Sequence, residues 1–228
     1  VTAVNNVPTF VGDISGSVTE DSGSPPTTTL NLQVVDADAG QSSFSGTVRF
    51  VSSSDSKLLG TLYINEDGKP QYDLTLNNDP AIQSLGVGQS RTETFRLTSA
   101  DGSATQDIVI TIYGANDNPT ASATSIAMNK NAIYTGTLPS SFDIDTGDLL
   151  TYSKASDPTH GIVVINTDGT YTYTPTHDYY GADSFTYSIN DNHGGSNTYT
   201  VTVSVNNVPT FVGDISGSVT EDSGSPPT

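Results

Sequence analysis

Residues 205–228 repeat residues 4–27 letter for letter, VNNVPTFVGDISGSVTEDSGSPPT in both places, at an offset of 201 residues. Identity over that length marks a recently duplicated gene segment. A fixed period of this kind calls for folded units placed in series, each touching mainly its neighbours. The chain of 228 residues is therefore expected to be a piece of a longer array. An array builds length, which serves a spacer better than a catalyst.

The unit itself reads as strands. Period-2 alternation rich in Thr, Val, Ile and Tyr is clearest at residues 108–113 (IVITIY), 171–174 (YTYT), 184–189 (SFTYSI) and 199–205 (YTVTVSV). Shorter runs fall at 30–35, 48–51, 62–64, 72–76, 95–98, 150–152 and 162–165. Asp67-Gly68, Asp101-Gly102, Asp168-Gly169 and Gly194-Gly195 mark turns between them. One helix signal stands out, at 79–85, with Asp79 as cap and Pro80 in the first turn. Apolar residues make up only 33% of the chain, so any core is thin. Two sheets packed face to face suit that supply, because only alternate strand residues need be apolar.

The strand pattern runs twice. Each run closes on an aromatic strand, an Asp-containing loop, a Thr/Val/Ile strand and an Asn-rich linker ended by proline: Asn116-Asp117-Asn118-Pro119 in one case, Asn206-Asn207-Val208-Pro209 in the other. Asn5-Asn6-Val7-Pro8 is a third such linker. The boundaries that follow are a tail and linker at 1–7, domain A at 8–115, a linker at 116–118, domain B at 119–205, and at 206–228 a linker with the first strand region of a further A-type domain.

A formal charge of −18 repels phosphate backbones and anionic membrane surfaces and attracts cations. Nucleic acid is excluded as a partner on that ground. No run reaches the roughly 20 apolar residues of a membrane span, so direct membrane insertion is not expected. The absence of cysteine excludes disulfides, zinc–thiolate sites and thiol catalysis. The 25 acids comprise 21 Asp and only 4 Glu. Two clusters account for part of that bias: Asp36-Ala37-Asp38-Ala39-Gly40, and Asp143-Ile144-Asp145-Thr146-Gly147-Asp148 at the matching place in domain B. Alternate aspartates in a loop put two carboxylates on one side, where they repel unless a cation intervenes. Oxygen-only donors select a hard ion, calcium ahead of magnesium. The plainer reading is that Asp and Gly fill turns.

Val18-Thr19-Glu20-Asp21, then Val34-Val35-Asp36-Ala37-Asp38-Ala39-Gly40, then Thr98-Ser99-Ala100-Asp101-Gly102, then Asn116-Asp117-Asn118-Pro119 resembles the motif series of cadherin repeats. Asn65-Glu66-Asp67-Gly68, Ala81-Ile82-Gln83-Ser84-Leu85-Gly86 and Thr94-Phe95 make domain A resemble the VCBS-type repeats of giant bacterial RTX adhesins. Domain B is similar to the cadherin-like repeats of the same proteins, through DIDTGDLLTY at 143–152, TDGTYTYTP at 167–175, YGADSFTY at 180–187 and Gly194-Gly195. The resemblance implies an all-β chain of two tandem Greek-key immunoglobulin/cadherin-like β-sandwich domains, arranged end to end, with Ca2+ at the junctions. It places Glu20 toward the downstream junction, with linker ligands from Asn116, Asp117 and Asn118. Asp143 and Asp145 close that site, and Asp148 and Asp191 lie nearby. Asp36 and Asp38 face the upstream junction at Asn5-Asn6, and Asp101 joins the metal set through its loop motif.

Two departures matter. Domain B has Met128-Asn129-Lys130-Asn131 where domain A has Val18-Thr19-Glu20-Asp21, and its outgoing linker reads Asn-Asn-Val in place of Asn-Asp-Asn. Junctions are therefore expected to alternate, A-to-B calcium-rich and B-to-A calcium-poor or bound by other ligands. His160, His177 and His193 read as surface or turn residues, and Tyr171, Tyr173, Tyr187 and Tyr199 as core and cross-strand pairs. No nucleophile or phosphate loop is recognisable, and the chain is not expected to be an enzyme.

The function the resemblance implies is an extender repeat of a bacterial cell-surface RTX adhesin, exported by a type I system and rigidified by calcium outside the cell. It would hold a distant region, which binds a host or surface glycan or protein, away from the cell for adhesion or biofilm formation. Its direct partners would be neighbouring repeats of a monomeric chain, with a strand swap of residues 209–228 between molecules as a variant. The alternative is a carbohydrate- or protein-binding β-sandwich module of an extracellular protein.

Overall fold

The structure is a computed structural model and describes residues 4–207. The first sandwich contains β1 (Thr9–Gly12), β2 (Ser15–Thr19), β3 (Thr27–Thr29), β4 (Leu32–Val35), β5 (Phe44–Ser53), β6 (Thr61–Ile64), β7 (Pro70–Asp73), the single-turn α1 (Pro80–Gln83), β8 (Ser90–Ser99) and β9 (Thr105–Tyr113). The second contains β10 (Thr124–Asn129), β11 (Tyr134–Thr137), β12 (Thr151–Ser156), β13 (Gly161–Ile165), β14 (Thr170–Pro175), β15 (Gly181–Asn190) and β16 (Ser196–Asn206). The fold is all-β and immunoglobulin/cadherin-like.

Each domain packs a four-stranded sheet, β2-β9-β8-β5 or β10-β16-β15-β12, against a three-stranded one, β3-β7-β6 or β11-β14-β13. The period-2 pattern of the long strands is the cause: Ile108, Ile110 and Ile112 of β9, and Val201, Val203 and Val205 of β16, point into separate cores. In both domains the last strand pairs in parallel with a strand near the start, β2 with β9 and β10 with β16. Before that pairing the chain first makes a separate short antiparallel pairing. In domain A this is the β1–β4 ladder, which begins at Thr9↔Val35. In domain B it shrinks to the single bridge Thr120↔Phe142. These two pairs give the structural alignment of the domains.

Several elements depart from the sequence expectations. The expected strand at 30–35 begins two residues late, as β4, with Leu30 and Asn31 outside it where the Asn31 N–H turns to Asp13 Oδ2 at 3.1 Å. Strands β1 and β2 carry no strong alternation, because most of their residues are exposed. Strands β10 and β11 also lie outside the expected runs, although β10 buries Ile126 and Met128. Asn206, read as linker, forms the last rung of β16 opposite Asn129. The expected strand swap of 209–228 lies outside the described residues. Among the described residues, no helix is long and apolar enough to cross a membrane.

Candidate metal centre

The lower end of domain A presents Glu20. Its N–H bonds Tyr113 O at 3.0 Å, extending the β2–β9 ladder by one bond and turning the side chain inward. The residue is 1% exposed. Its Oε1 accepts from Ala115 N at 3.0 Å and its Oε2 from Gln83 Nε2 at 3.0 Å. Gln83 is there because Asp79 caps α1 through Ala81 N and Pro80 starts the helix, so the single turn ends beneath Glu20. Asp21 follows in the left-handed region at φ 56 and accepts from Asn77 Nδ2 at 3.1 Å. The backbone of Gly114 runs against α1's exit, and a Cβ there would lie 1.9 Å from Leu85 O.

The upper end of domain B presents the other half. Asp143 Oδ1 accepts from Asp145 N at 3.1 Å, the local turn that the Asp-x-Asp spacing calls for. Asp191 Oδ1 collects the N–H groups of His193 (2.7 Å), Gly194 (3.0 Å) and Gly195 (3.0 Å). Its Oδ2 accepts from Asn116 Nδ2 at 2.8 Å. A Cβ on Gly195 would sit 2.1 Å from that oxygen and 2.6 Å from the Asn116 nitrogen, so only glycine permits this contact. Oxygens of Asp143, Asp148 and Asp191 lie within 4.8 Å of one another.

The linker ties the halves together. Asp117 N donates to Asp145 Oδ2 at 2.8 Å, and Asn118 Oδ1 accepts from Ser196 N at 3.2 Å. Directly across the junction, Thr146 N donates to Ser84 O at 3.1 Å and Gln89 Nε2 to Thr146 O at 2.9 Å.

This crowding has an electrostatic cost. Burial, with the charges of Asp21, Asp117 and Asp145, pushes the Glu20 carboxyl up to about 7 against the pull of the Ala115 N–H. Burial also raises Asp117, together with Asp21 and Asp143. It raises Asp145 too, where the charges of Asp117, Asp143 and Asp148 add to it. Asp191 goes the other way: burial opposes its charge, but Asn116 and the three loop N–H groups hold it below the usual range. Seven carboxylates (Glu20, Asp21, Asp117, Asp143, Asp145, Asp148 and Asp191) thus share one junction, and no lysine or arginine is among the groups that shift Glu20, Asp117, Asp145 and Asp191.

A calcium ion fits this donor set. The carboxylates buried within the bodies of the two domains, Glu93 and Asp183, are fully hydrogen-bonded. Glu93 accepts from Leu59 N at 2.6 Å and Tyr72 Oη at 2.7 Å. Its counterpart Asp183 accepts from Tyr173 Oη at 2.8 Å, His160 N at 2.9 Å and Thr159 N at 3.0 Å. At the junction, Asn116 Oδ1, Asp143 Oδ2, Asp145 Oδ1 and Asp148 Oδ2 are buried without a partner among the described residues. Unsatisfied buried oxygens are costly, and oxygens alone suit a hard cation.

The upper end of domain A is a second copy of the same frame. Asn6 N donates to Asp38 Oδ2 at 2.7 Å, as Asp117 does to Asp145. Asp38 N donates to Asp36 Oδ1 at 2.8 Å, as Asp145 does to Asp143. Asn5 Nδ2 donates to Asp101 Oδ2 at 2.9 Å, as Asn116 does to Asp191. Asn5, Ser103 and Ser99 hold Asp101 well below the usual carboxylate range. Asp36 Oδ2 and Gln41 Oε1 are buried without partners, at the positions of Asp143 and Asp148. This copy is less acidic, with Gln41 for Asp148 and Asn6 for Asp117.

The structure therefore gathers Glu20, Asn116, Asp117, Asn118, Asp143, Asp145, Asp148 and Asp191 at one junction, and Asp36, Asp38 and Asp101 at the other. Sequence reasoning missed Asp21, Gln41 and Gln83. Asp21 was findable as the neighbour of Glu20 and Gln41 as the residue aligned with Asp148, but Gln83 acts through a helix turn that only folding brings in. His193, read as a turn residue, places Nδ1 at 3.0 Å from Asp148 Oδ1 and so belongs to the site's rim.

Comparison with known proteins agrees with this geometry as far as the fold. Residues 116–204 match the family model Big_9, described as a bacterial Ig domain. Among solved structures the chain is similar to protocadherin gamma B2 extracellular cadherin domains 3–6, at 15% identity and a TM-score of 0.51, covering 89% of this chain and 53% of that one. It is similar to mouse clustered PcdhgC3 EC1-3, at 16% identity and a TM-score of 0.50, covering 90% and 68%. A protocadherin gamma B7 fragment of cadherin domains 1–4 aligns at 15% identity and a TM-score of 0.49, covering 86% and 49%. The chain thus spans about half the length of the gamma B7 and gamma B2 fragments. No curated protein matches it.

Proposed function

We propose that the chain is a structural, non-enzymatic extender repeat of a bacterial cell-surface RTX adhesin, stiffened by Ca2+ at the junction between its VCBS-type and cadherin-like domains. The observation that carries this reading is the set of buried, unpartnered oxygens that linker and domain B turn toward the Glu20 end of domain A. Glu20, Asn116, Asp117, Asp143, Asp145, Asp148 and Asp191 would hold the ion. When bound, the ion supplies positive charge that removes the repulsion among these groups. The chain's own residues do the rest: Gly195 lets Asn116 reach Asp191, and Gln83 holds Glu20 in place.

A flexible linker would waste the reach of two sandwiches, since a coil lengthens only with the square root of its residues. An ion held from both sides fixes the angle between them. At a calcium concentration 100 times the dissociation constant, linkage favours the bound form by about 2.7 kcal/mol. Extracellular modules bind calcium in roughly the 0.1–1 mM range, so the junction stays compliant in the cytoplasm and locks after export. Small-angle scattering in calcium and in EGTA tests this. A shorter, broader distance distribution in EGTA is expected, and an unchanged maximum dimension would refute the reading.

A further inference from the structure

The two lower ends of this chain differ in a way that the backbone ladders make comparable. In domain A the N–H of Glu20 bonds Tyr113 O at 3.0 Å, one step beyond the last rung of β2 and β9. In domain B the N–H of Lys130 bonds Asn206 O, also at 3.0 Å, one step beyond the last rung of β10 and β16. Lys130 therefore occupies the structural position of Glu20, and Asn131 that of Asp21, with the same left-handed backbone (φ 63 against 56). Beside Lys130, Asn131 engages Asp178 in both directions, at 2.9 and 2.7 Å, and no other carboxylate hydrogen-bonds this loop among the described residues. The same position thus carries a carboxylate in one domain and an ammonium in the other.

The outgoing linkers differ as well. From the rung residue Tyr113 to the closing Pro119 is six positions, whereas from Asn206 to Pro209 is three. Three residues fewer shorten the greatest span by about 10 Å. Moreover, Asn206-Asn207 is identical in context to Asn5-Asn6. Those two residues here hold Asp101 (Nδ2 to Oδ2, 2.9 Å) and Asp38 (N to Oδ2, 2.7 Å) of an A-type upper end. The carbonyl that bonds Lys130 thus belongs to the residue type that grips Asp101. An A-type upper end seated on Asn206-Asn207 in the same way brings its three aspartates within reach of a lysine side chain.

We propose that the lower end of domain B is a docking surface for the upper end of a second copy of domain A, with the Lys130 ammonium as built-in counter-charge to Asp36, Asp38 and Asp101 in place of a metal ion. Charge complementarity selects this occupant: three aspartates and a neutral Gln41 meet one lysine, where the A–B junction sets seven carboxylates together. The proposal rests on the reading of the A–B junction as cation-held only for the contrast between the two. Rigid spacing then comes in two kinds, one that depends on calcium and one that does not.

Two copies of the chain joined through their shared segment provide the test. Because the chain has no cysteine, spin labels at Thr61→Cys and Val164→Cys report distances cleanly. One label pair spans A to B within a copy, and a second spans B of the first copy to A of the next. In EGTA the A–B distribution is expected to broaden while the B-to-A distribution keeps its calcium width. Lys130→Met broadens the B-to-A distribution in both conditions, and Lys130→Glu broadens it in EGTA. Thermal unfolding checks that both variants keep domain B folded. A wild-type B-to-A distribution that broadens in EGTA overturns the proposal, and so does a Lys130→Met chain that stays narrow. If the A–B pair ignores EGTA while the B-to-A pair stays narrow and Lys130-dependent, the calcium reading of the A–B junction fails and this proposal stands.

Discussion

Glu20→Gln should stabilise the chain in one solution and destabilise it in another. In chelator at pH 8 the wild-type carboxylate is ionised and buried, with its folded-state pKa raised from 4.5 to about 7. A raised acid pKa means stability that is present below the unfolded value and lost as pH rises through the folded one. At 1.36 kcal/mol per pKa unit, ionising Glu20 costs the folded state about 3 kcal/mol. An amide removes that cost. It also sets an NH2 group against one of two existing donors, Ala115 N or Gln83 Nε2, which costs about 1 kcal/mol. The net gain is about 2 kcal/mol, on the order of 10 °C in melting temperature for a domain of this size. At pH 5 Glu20 is already protonated in the folded chain, so the gain vanishes. In calcium at pH 8 the sign reverses, because the variant has lost a ligand charge; each tenfold loss of affinity removes about 1.4 kcal/mol of linkage. Scanning calorimetry at pH 5 and 8, each with EGTA or calcium, reads all four conditions. A shift of the same sign in EGTA and calcium at pH 8 would refute the reasoning, as would an equal gain at pH 5.

Other expectations follow from the same geometry. Without metal, wild-type stability should fall between about pH 4.5 and pH 7, because Glu20, Asp117 and Asp145 all have raised pKa values; a melting temperature that rises over that window in EGTA contradicts this. Gly195→Ala should separate Asn116 from Asp191 and lower calcium affinity at least tenfold by titration calorimetry, since its Cβ would lie 2.1 Å from Asp191 Oδ2. Asp145→Asn should abolish the EGTA response in small-angle scattering while leaving both domains folded by circular dichroism. Glu93→Ala leaves Tyr72 Oη and Leu59 N unpaired in the core of domain A, and should cost about 1–3 kcal/mol equally with and without calcium. A calcium-dependent loss there would mean that the core and junction are coupled.

The sequence alone determined that the chain is all-β and modular. Alternation such as IVITIY and YTVTVSV places one face of a strand in a core whatever that strand pairs with, and the linkers repeat as text. The Asp-x-Asp loops were legible for the same reason, because their bonds, such as Asp145 N to Asp143 Oδ1, are made within three residues. Tertiary structure decided what these loops face. That Asp117 and Asp145 add to the burial that raises the Glu20 pKa depends on residues up to 125 positions apart meeting across a junction. Local pattern does not encode such distances. The sequence already set Lys130 opposite Glu20 by aligning Met128–Asn131 with Val18–Asp21, and the matched rungs at Asn206 and Tyr113 give that pairing its place in the sheets. Short-range hydrogen bonds and side-chain periodicity are written in neighbouring letters, whereas charge repulsion between distant segments exists only once the sheets have fixed where those segments end.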